Sequence, residues 1–201
     1  PDVRAWFKEL LDRMIGEVGI EWIRFDSNID PLPYWEGMET PETRGLAQIR
    51  HFEGLYEVLD HLLSRHPSLC LEGCSSGGRR MDLETLRRSH TYWISDHTVN
   101  HHIIRHHLSG ANRFIPANYL NTNLTQGAAH YPDIYYHSLF GGALGFGDPI
   151  GRWSKELLDL GRRHVEVYKS LRHLLVEDFY PLLPQPMSLN AWDAWQFHDV
   201  E

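Results

Sequence analysis

From Asp2 to Val18 the apolar residues Val3, Trp6, Phe7, Leu10, Leu11, Met14, Ile15 and Val18 recur three and four apart, the period of an amphipathic helix. Asp2 fits its N-cap and Gly19 its stop. The period then changes to two. Ile20 to Asp26, IEWIRFD, reads as a short strand with Trp22, Arg24 and Asp26 on one face and Glu21, Ile23 and Phe25 on the other, so that Asp26 closes the strand. The Pro-rich stretch SNIDPLPYWEGMETPET follows as a loop too long for an idle connection, with Tyr34 and Trp35 at its middle.

A second helix is expected from Pro41, with Thr40 as cap and an apolar stripe of Leu46, Ile49, Phe52, Leu55, Tyr56, Leu59, Leu62 and Leu63, until His66-Pro67 ends it. Then come a strand from Leu69 to Cys74, the turn SSGGRR, a two-turn helix from Asp82 to Arg88 and a strand from Thr91 to Ser95. A helix from Asn100 to Leu108 precedes FIPANYL, Phe114 to Leu120, read as a strand although Pro116 weakens it. Tyr131 to Leu139 reads as a short helix, Gly142 to Gly147 as a glycine-rich strand ending at Asp148, and Ser154 to Val176 as a long helix striped by Leu157, Leu158, Leu160, Val165, Tyr168, Leu171, Leu174 and Leu175.

Strands and helices therefore alternate, which implies parallel strands joined by right-handed crossovers and an α/β fold. Five strands and six helices suit an open doubly wound sheet or a section of a (β/α)8 TIM barrel, whose full form takes about 250 residues. Polar residues at the ends of several strands favour the barrel section, with about five parallel strands and flanking helices in residues 1–183. Beyond Pro181 the pattern changes. Pro184 and Pro186 mark a linker, and Trp192, Trp195 and Phe197 look like the start of another unit within residues 184–201. The chain opens at Pro1 directly on a helical pattern, as a piece of something longer would.

Composition narrows the partners. With 42% hydrophobic and 23% charged residues the chain reads as an ordinary globular protein, and no apolar run approaches the ~18 residues of a membrane span. A formal charge of -8 argues against nucleic acid and against membrane surfaces. Cys70 and Cys74 lie four apart on one strand, about 13 Å between Cα atoms, too far for a disulfide. Seven Trp, nine Tyr and 14 His suit a carbohydrate ligand but also an ordinary core. The compartment stays open.

The leading pair for chemistry is Asp26 and Asp96, each at the end of a strand. With one strand between theirs, their carboxyl groups would meet at about 5 to 9 Å, a range that spans retaining and inverting glycoside hydrolysis. The bland alternative makes Asp26 an N-cap or loop aspartate and Asp96 the cap of the helix that follows. Arg24 shares the face of Asp26, where it would hold that carboxylate ionised and touch a substrate hydroxyl, or serve as a buried ion-pair partner. Glu72 is a supporting third carboxylate. The SSGGRR turn has neither the Walker A Lys nor a dinucleotide fingerprint, so no cofactor is expected, and its glycines instead let backbone approach a ligand. His102 and His106 are spaced to ligate a metal, but no HExxH accompanies them, a solvated helix face is the simpler reading, and no metal is expected. Trp35, Tyr34 and Tyr119 are candidate sugar-stacking rings or plain packing residues. There is no GxSxG elbow for Ser-His-Asp chemistry.

IRFDSN, LEGCSSGGRRMDLETL and WISD resemble, in order and spacing, the signature segments of glycoside hydrolase family 36, the melibiase or α-galactosidase-like enzymes, whose common forms read IKWDMN, ESCSSGGGRFD and WTSDNTD. The resemblance implies that this chain is the C-terminal part of the catalytic barrel, strands four to eight, and that AWDAWQ enters a C-terminal β-sandwich. It implies Asp26 as nucleophile and Asp96 as acid/base of a retaining double displacement on α-galactosides or related α-glycosides. Asn28, Cys74 and Gly77 would line the sugar subsite, with Trp93 beside the acid/base. Arg24 stands where the family has a substrate-binding Lys, Phe25 where it has Trp, and Val99 where it has a second Asp, the marks of a divergent branch. Arg does not replace Lys freely. Three readings follow: a retaining α-glycosidase, a non-catalytic carbohydrate-binding or degenerate barrel, and a metal-dependent hydrolase using the His-rich helix. The expected partner is an oligosaccharide or glycoside. A barrel section with open sheet edges also invites association between copies, and need not be active by itself.

Overall fold

The computed structural model of the chain describes residues 2–97, 100–125, 127, 142–188 and 190–200. These fall into two compact units, Pro1–His90 and Thr91–Glu201. The expected helix at Tyr131 to Leu139, and Val99, lie outside the described residues. Among the described residues no helix is long and apolar enough to cross a membrane.

In the first unit, α1 (Asp2–Val18) and α3 (Leu46–Arg65) pack on a parallel pair, β1 (Trp22–Asp26) and β2 (Cys70–Cys74). The four-residue spacing of Phe7, Leu11 and Ile15 turns one side of α1 onto Val58, Leu59 and Leu62 of α3, and onto Ile23, Phe25, Leu69 and Leu71 from the strands. Leu62 and Leu71 are almost wholly buried, each worth about 1.5–3 kcal/mol of transfer free energy. The two helices are also tied by polar contacts. The Asp12 carboxylate takes His61 Nε2 at 3.0 Å, Arg65 Nε at 3.0 Å and His66 Nε2 at 2.7 Å. Burial is the largest single influence on Asp12 and raises its pKa, but the His66 and His61 contacts and the Arg65 charge outweigh it, and the net shift is downward. At the end of the unit His90 closes on Leu71 from both sides, donating its N–H to the Leu71 carbonyl at 2.8 Å and accepting the Leu71 N–H at Nδ1, 3.0 Å away.

The start of α3 differs from the sequence expectation. Pro41–Thr43 forms a separate 3-10 turn capped reciprocally by Thr40 and Thr43, and Gly45 then takes a left-handed φ of 86° before the helix begins at Leu46. The Glu39 carboxylate supplies the missing cap, accepting the Gly45 and Ala47 N–H groups at 2.7 Å each. The preceding loop is not wholly irregular. Leu32–Glu36 forms a short helix, α2, from which Trp35 is buried against α3, its ring centroid 5.4 Å from that of His51 and 6.0 Å from that of Phe52. After β2, Asp82 caps α4 (Leu83–Leu86) by accepting from Glu84 and Thr85.

In the second unit, β3 is only Thr91–Tyr92, shorter than expected, and Tyr92 bridges in parallel to Leu120. Asn100 caps α5 (His101–Ala111). The expected strand at Phe114 to Leu120 is instead a 3-10 turn, Ala117–Tyr119, and the strand starts at Asn121. Pro116 offers its carbonyl to the Tyr119 N–H at 3.1 Å, closing the chain into a turn where it has no N–H of its own for a ladder. The strand β4 (Asn121–Leu124) pairs in parallel with β5 (Ala143–Phe146). Leu157 of α6 (Lys155–Leu171) and the fully buried Leu124 form the core of this pair, with Leu144, Trp153 and Leu160 around them. Ser154 caps α6, which gives way to a 3-10 stretch at Arg172–Val176 before Val176, its expected end. Near the end of the described residues β7 (Trp195–His198) lies within the expected start of a β-domain, and it pairs antiparallel with β6 (Asp178–Pro181), a strand not anticipated from the sequence.

Candidate active site

Parallel register places Asp26 opposite Cys74 and Arg24 opposite Glu72. Because strand side chains alternate, Trp22, Arg24 and Asp26 share the exposed face of β1, while Ile23 and Phe25 enter the core. The ladder runs one residue further, with the Ser27 N–H on the Cys74 carbonyl at 3.2 Å, so both strands end together and their following loops begin side by side.

Those loops are clamped to each other. Ser75 Oγ donates to the Ser27 carbonyl at 2.6 Å, and Arg80 Nη2 donates to the Ile29 carbonyl at 2.7 Å. Between the clamps the chain reverses through two left-handed residues, Ser76 at φ 47° and Gly77 at φ 82°, closed by the Ser75 N–H on the Gly77 carbonyl at 2.8 Å. Glycine adopts that conformation freely, whereas in serine it costs about 1–2 kcal/mol. Ser76 recovers the cost locally. Its N–H and its hydroxyl both donate to Asn28 Oδ1, at 2.8 Å and 2.9 Å, and the N–H also leans toward Asp26 Oδ1 at 3.4 Å.

Asp26 is thereby held as a carboxylate. The Asn28 side chain contributes most, and the Cys74 thiol, the Ser76 N–H and the Arg24 charge add to it against some desolvation, so the pKa lies below its ordinary value. Cys74 moves the other way. Burial is the main cause and the Asp26 charge adds to it, against the Gly77 N–H, so the thiol is pushed up to about 11. At neutral pH Cys74 is a protonated donor facing an ionised acceptor.

Arg24 is committed sideways. Its Nε lies 3.0 Å from Glu72 Oε2 and its Nη2 3.2 Å from Oε1, a two-pronged pair, and Trp22 Nε1 donates to the same Oε2 at 2.9 Å. Glu72 is buried, at 2% exposure, while the Arg24 side chain keeps 41%. The ion-pair role weighed for Arg24 is the one its contacts display, and the guanidinium charge still reaches Asp26. Asp26, Asn28, Cys74 and Gly77 thus gather at one end of the β1–β2 pair, with Arg24 two residues back on the same face of β1. Trp35 does not join them, since its ring is packed into the α2–α3 contact.

In the second unit Asp96 follows β3 rather than ending it. Trp93 Nε1 donates to Asp96 Oδ1 at 3.0 Å, and the Ser95 hydroxyl accepts the His97 N–H at 3.1 Å. The His-rich helix is engaged in packing: His106 Nδ1 faces the Pro186 carbonyl at 2.8 Å, and Gln185 Nε2 donates to the His106 carbonyl at 2.9 Å. Among the described residues no group of three His, Cys, Asp or Glu side chains is placed to hold a metal ion. Sequence reading overlooked Ser76 and the clamp from Arg80. Their signal was the serine directly before Gly77, a position where the chain must reverse.

The family model described as Melibiase matches residues 1–122. An α-galactosidase of Escherichia coli is 30% identical over 171 residues, covering 81% of this chain and 23% of its own length. The chain spans about a quarter of the length of the curated relatives it matches. Among solved structures, an α-galactosidase from Lactobacillus brevis superposes with a TM-score of 0.84 at 21% identity, over all of this chain and 28% of its own. The family 36 α-galactosidase AgaA of Geobacillus stearothermophilus, in a substituted form in complex with raffinose, superposes with a TM-score of 0.78 at 24% identity, over 91% of this chain and 26% of its own. Likeness at these identities speaks for the fold.

Proposed function

The chain belongs to the melibiase family, and from that membership we propose that it carries part of the catalytic (β/α)8 barrel of a retaining glycoside hydrolase acting on α-galactosides or related α-glycosides. The parallel pairing of β1 with β2 and of β4 with β5 supports a barrel section over residues 1–183. Residues 184–201 lead into a β-domain, a reading supported by the antiparallel β7 within them.

The observation that carries the proposal is the Asp26 carboxylate, ionised and aimed by Asn28 and the 75–78 turn at the C-terminal end of a parallel strand. In this role Asp26 attacks the anomeric carbon while Asp96 gives its proton to the leaving oxygen. Asp96 then takes a proton from water, and the resulting hydroxide displaces Asp26 and restores both groups. Trp93, donating to Asp96, orients the acid/base. Asn28, Cys74 and Gly77 border the sugar, and an α-galactosyl oligosaccharide is the expected substrate class, raffinose being bound by the structural relative named above. In the full-length protein, Asp26→Ala removes turnover of an activated aryl α-galactoside. Turnover that survives this change sinks the assignment.

One observation favours a second reading, a carbohydrate-binding barrel without turnover. The Arg24 fork is engaged with Glu72 where the family has a substrate-binding Lys, and Arg and Lys present different donor geometry. Calorimetry that detects sugar binding by a wild-type protein inactive on a panel of α-glycosides would establish it.

A further inference from the structure

Ser76 touches no substrate in the chemistry just described, but it lies in the turn beside Asp26 and its conformation is the most demanding among the described residues. It is the one non-glycine residue with positive φ among them, and it directs two donors onto a single atom, Asn28 Oδ1. That doubling decides which way the Asn28 amide faces. With Oδ1 taken by two Ser76 hydrogens, the NH2 end is the one left to support the Asp26 charge, in keeping with the lowering influence of the Asn28 side chain on that carboxyl. The reverse orientation would set an amide oxygen against the carboxylate and amide hydrogens against the Ser76 donors. The Ser76 N–H adds a longer contact of its own to Asp26 Oδ1, at 3.4 Å. We infer that Ser76 is a positioning residue for the Asp26 carboxylate, acting through Asn28.

The chain of contacts is short: the Ser76 N–H and hydroxyl hold the Asn28 oxygen, the same N–H leans on Asp26 Oδ1, and the Asn28 side chain is the largest influence that keeps Asp26 ionised. The neighbouring clamp from Ser75 Oγ to the Ser27 carbonyl keeps the two loops at the spacing this requires. A hydroxyl at position 76 is therefore worth more than its place in a turn, because it biases the orientation of the group that would attack the sugar. The inference rests on Asp26 as the nucleophile for its meaning in catalysis. Its physical content, the coupling of Ser76 to the charge state of Asp26, can be read without any turnover.

The test is carbon-13 titration of the Asp26 carboxyl in the chain, for wild type, Ser76→Ala, Ser76→Gly, Asn28→Ala and the Ser76→Ala, Asn28→Ala double variant. Arg24 and Cys74, the other titratable groups facing Asp26, are unchanged throughout. Ser76→Ala is expected to raise the midpoint by about half a pH unit, and Asn28→Ala by more, with no further rise in the double variant. Ser76→Gly, which removes the hydroxyl but relieves the left-handed conformation, should show the same rise even if Ser76→Ala folds poorly. A midpoint unmoved in both Ser76 variants, or a shift that adds fully to that of Asn28→Ala, overturns the inference and leaves Ser76 as a turn residue. The expected shifts together with a full-length protein inactive on α-glycosides would keep the coupling and remove the glycosidase reading. The converse result would do the opposite.

Discussion

Arg24 grips Glu72 through two nitrogens, Nε at 3.0 Å and Nη2 at 3.2 Å, across directly paired positions of β1 and β2. The carboxylate it holds is almost fully buried, so removing the cation leaves a charge without its main counterion. Arg24→Met should cost about 2 kcal/mol, less than a wholly buried pair because the guanidinium is partly solvated. Combining it with Glu72→Gln, which keeps an acceptor for Trp22 Nε1, should restore part of the loss. Urea unfolding of the two single variants and the double checks this, and strictly additive losses contradict it.

Acid should loosen the first unit. Asp12 and Asp26 both have pKa values below the ordinary carboxylate value in the fold. The unfolded chain therefore takes up protons first as pH falls below about 4. The stability these groups contribute is complete above that point and is lost as pH drops through their folded values. Unfolding free energy measured from pH 7 to pH 3 should fall less steeply at the acid end for Asp12→Asn than for wild type. Equal slopes count against the Asp12 contacts.

Cys74 should be an unreactive thiol. With its pKa at about 11, roughly one molecule in a thousand carries the thiolate at pH 8. Burial also raises the pKa of Cys70. Iodoacetamide at pH 8 should modify the native chain at least about tenfold more slowly than the urea-unfolded chain. Equal rates would show that the strand end is open.

Gly142 should tolerate no side chain. A Cβ there would overlap the Leu120 carbonyl, which accepts the next residue's N–H, that of Ala143, at 2.6 Å. Gly142→Ala should destabilise the second unit by about 2 kcal/mol or more, seen as an earlier thermal transition. An unchanged transition would mean that β4 and β5 do not pair as described.

The alternating elements were legible because their periodicity is strong: α1 runs from Asp2 to Val18 as its apolar spacing predicts, and β1 buries Ile23 and Phe25 while exposing Asp26. What escaped sequence reading were contacts made across the chain. The start of α3 is set by Glu39, several residues upstream, a cap that no local pattern announces. The strand β6, DFYP, ends in a proline and gains its ladder from the distant Trp195–His198. Within the candidate site, Asp26, Asn28, Cys74 and Gly77 were singled out from motifs. Ser76 was not, because its importance lies in a backbone angle rather than in its residue type. Trp35 stood out as an aromatic in a loop, and only packing reveals that its ring is turned inward.

In the proposed reaction Asp26 forms the covalent glycosyl intermediate. The most direct measurement is peptide mapping by mass spectrometry after the full-length protein has reacted with an activated 2-deoxy-2-fluoro-α-galactoside, or its 5-fluoro counterpart, whose intermediate turns over slowly. One added glycosyl group is expected on the peptide that contains Asp26, and none in Asp26→Ala. An adduct on a different carboxylate, or turnover with inversion at the anomeric carbon, would contradict it.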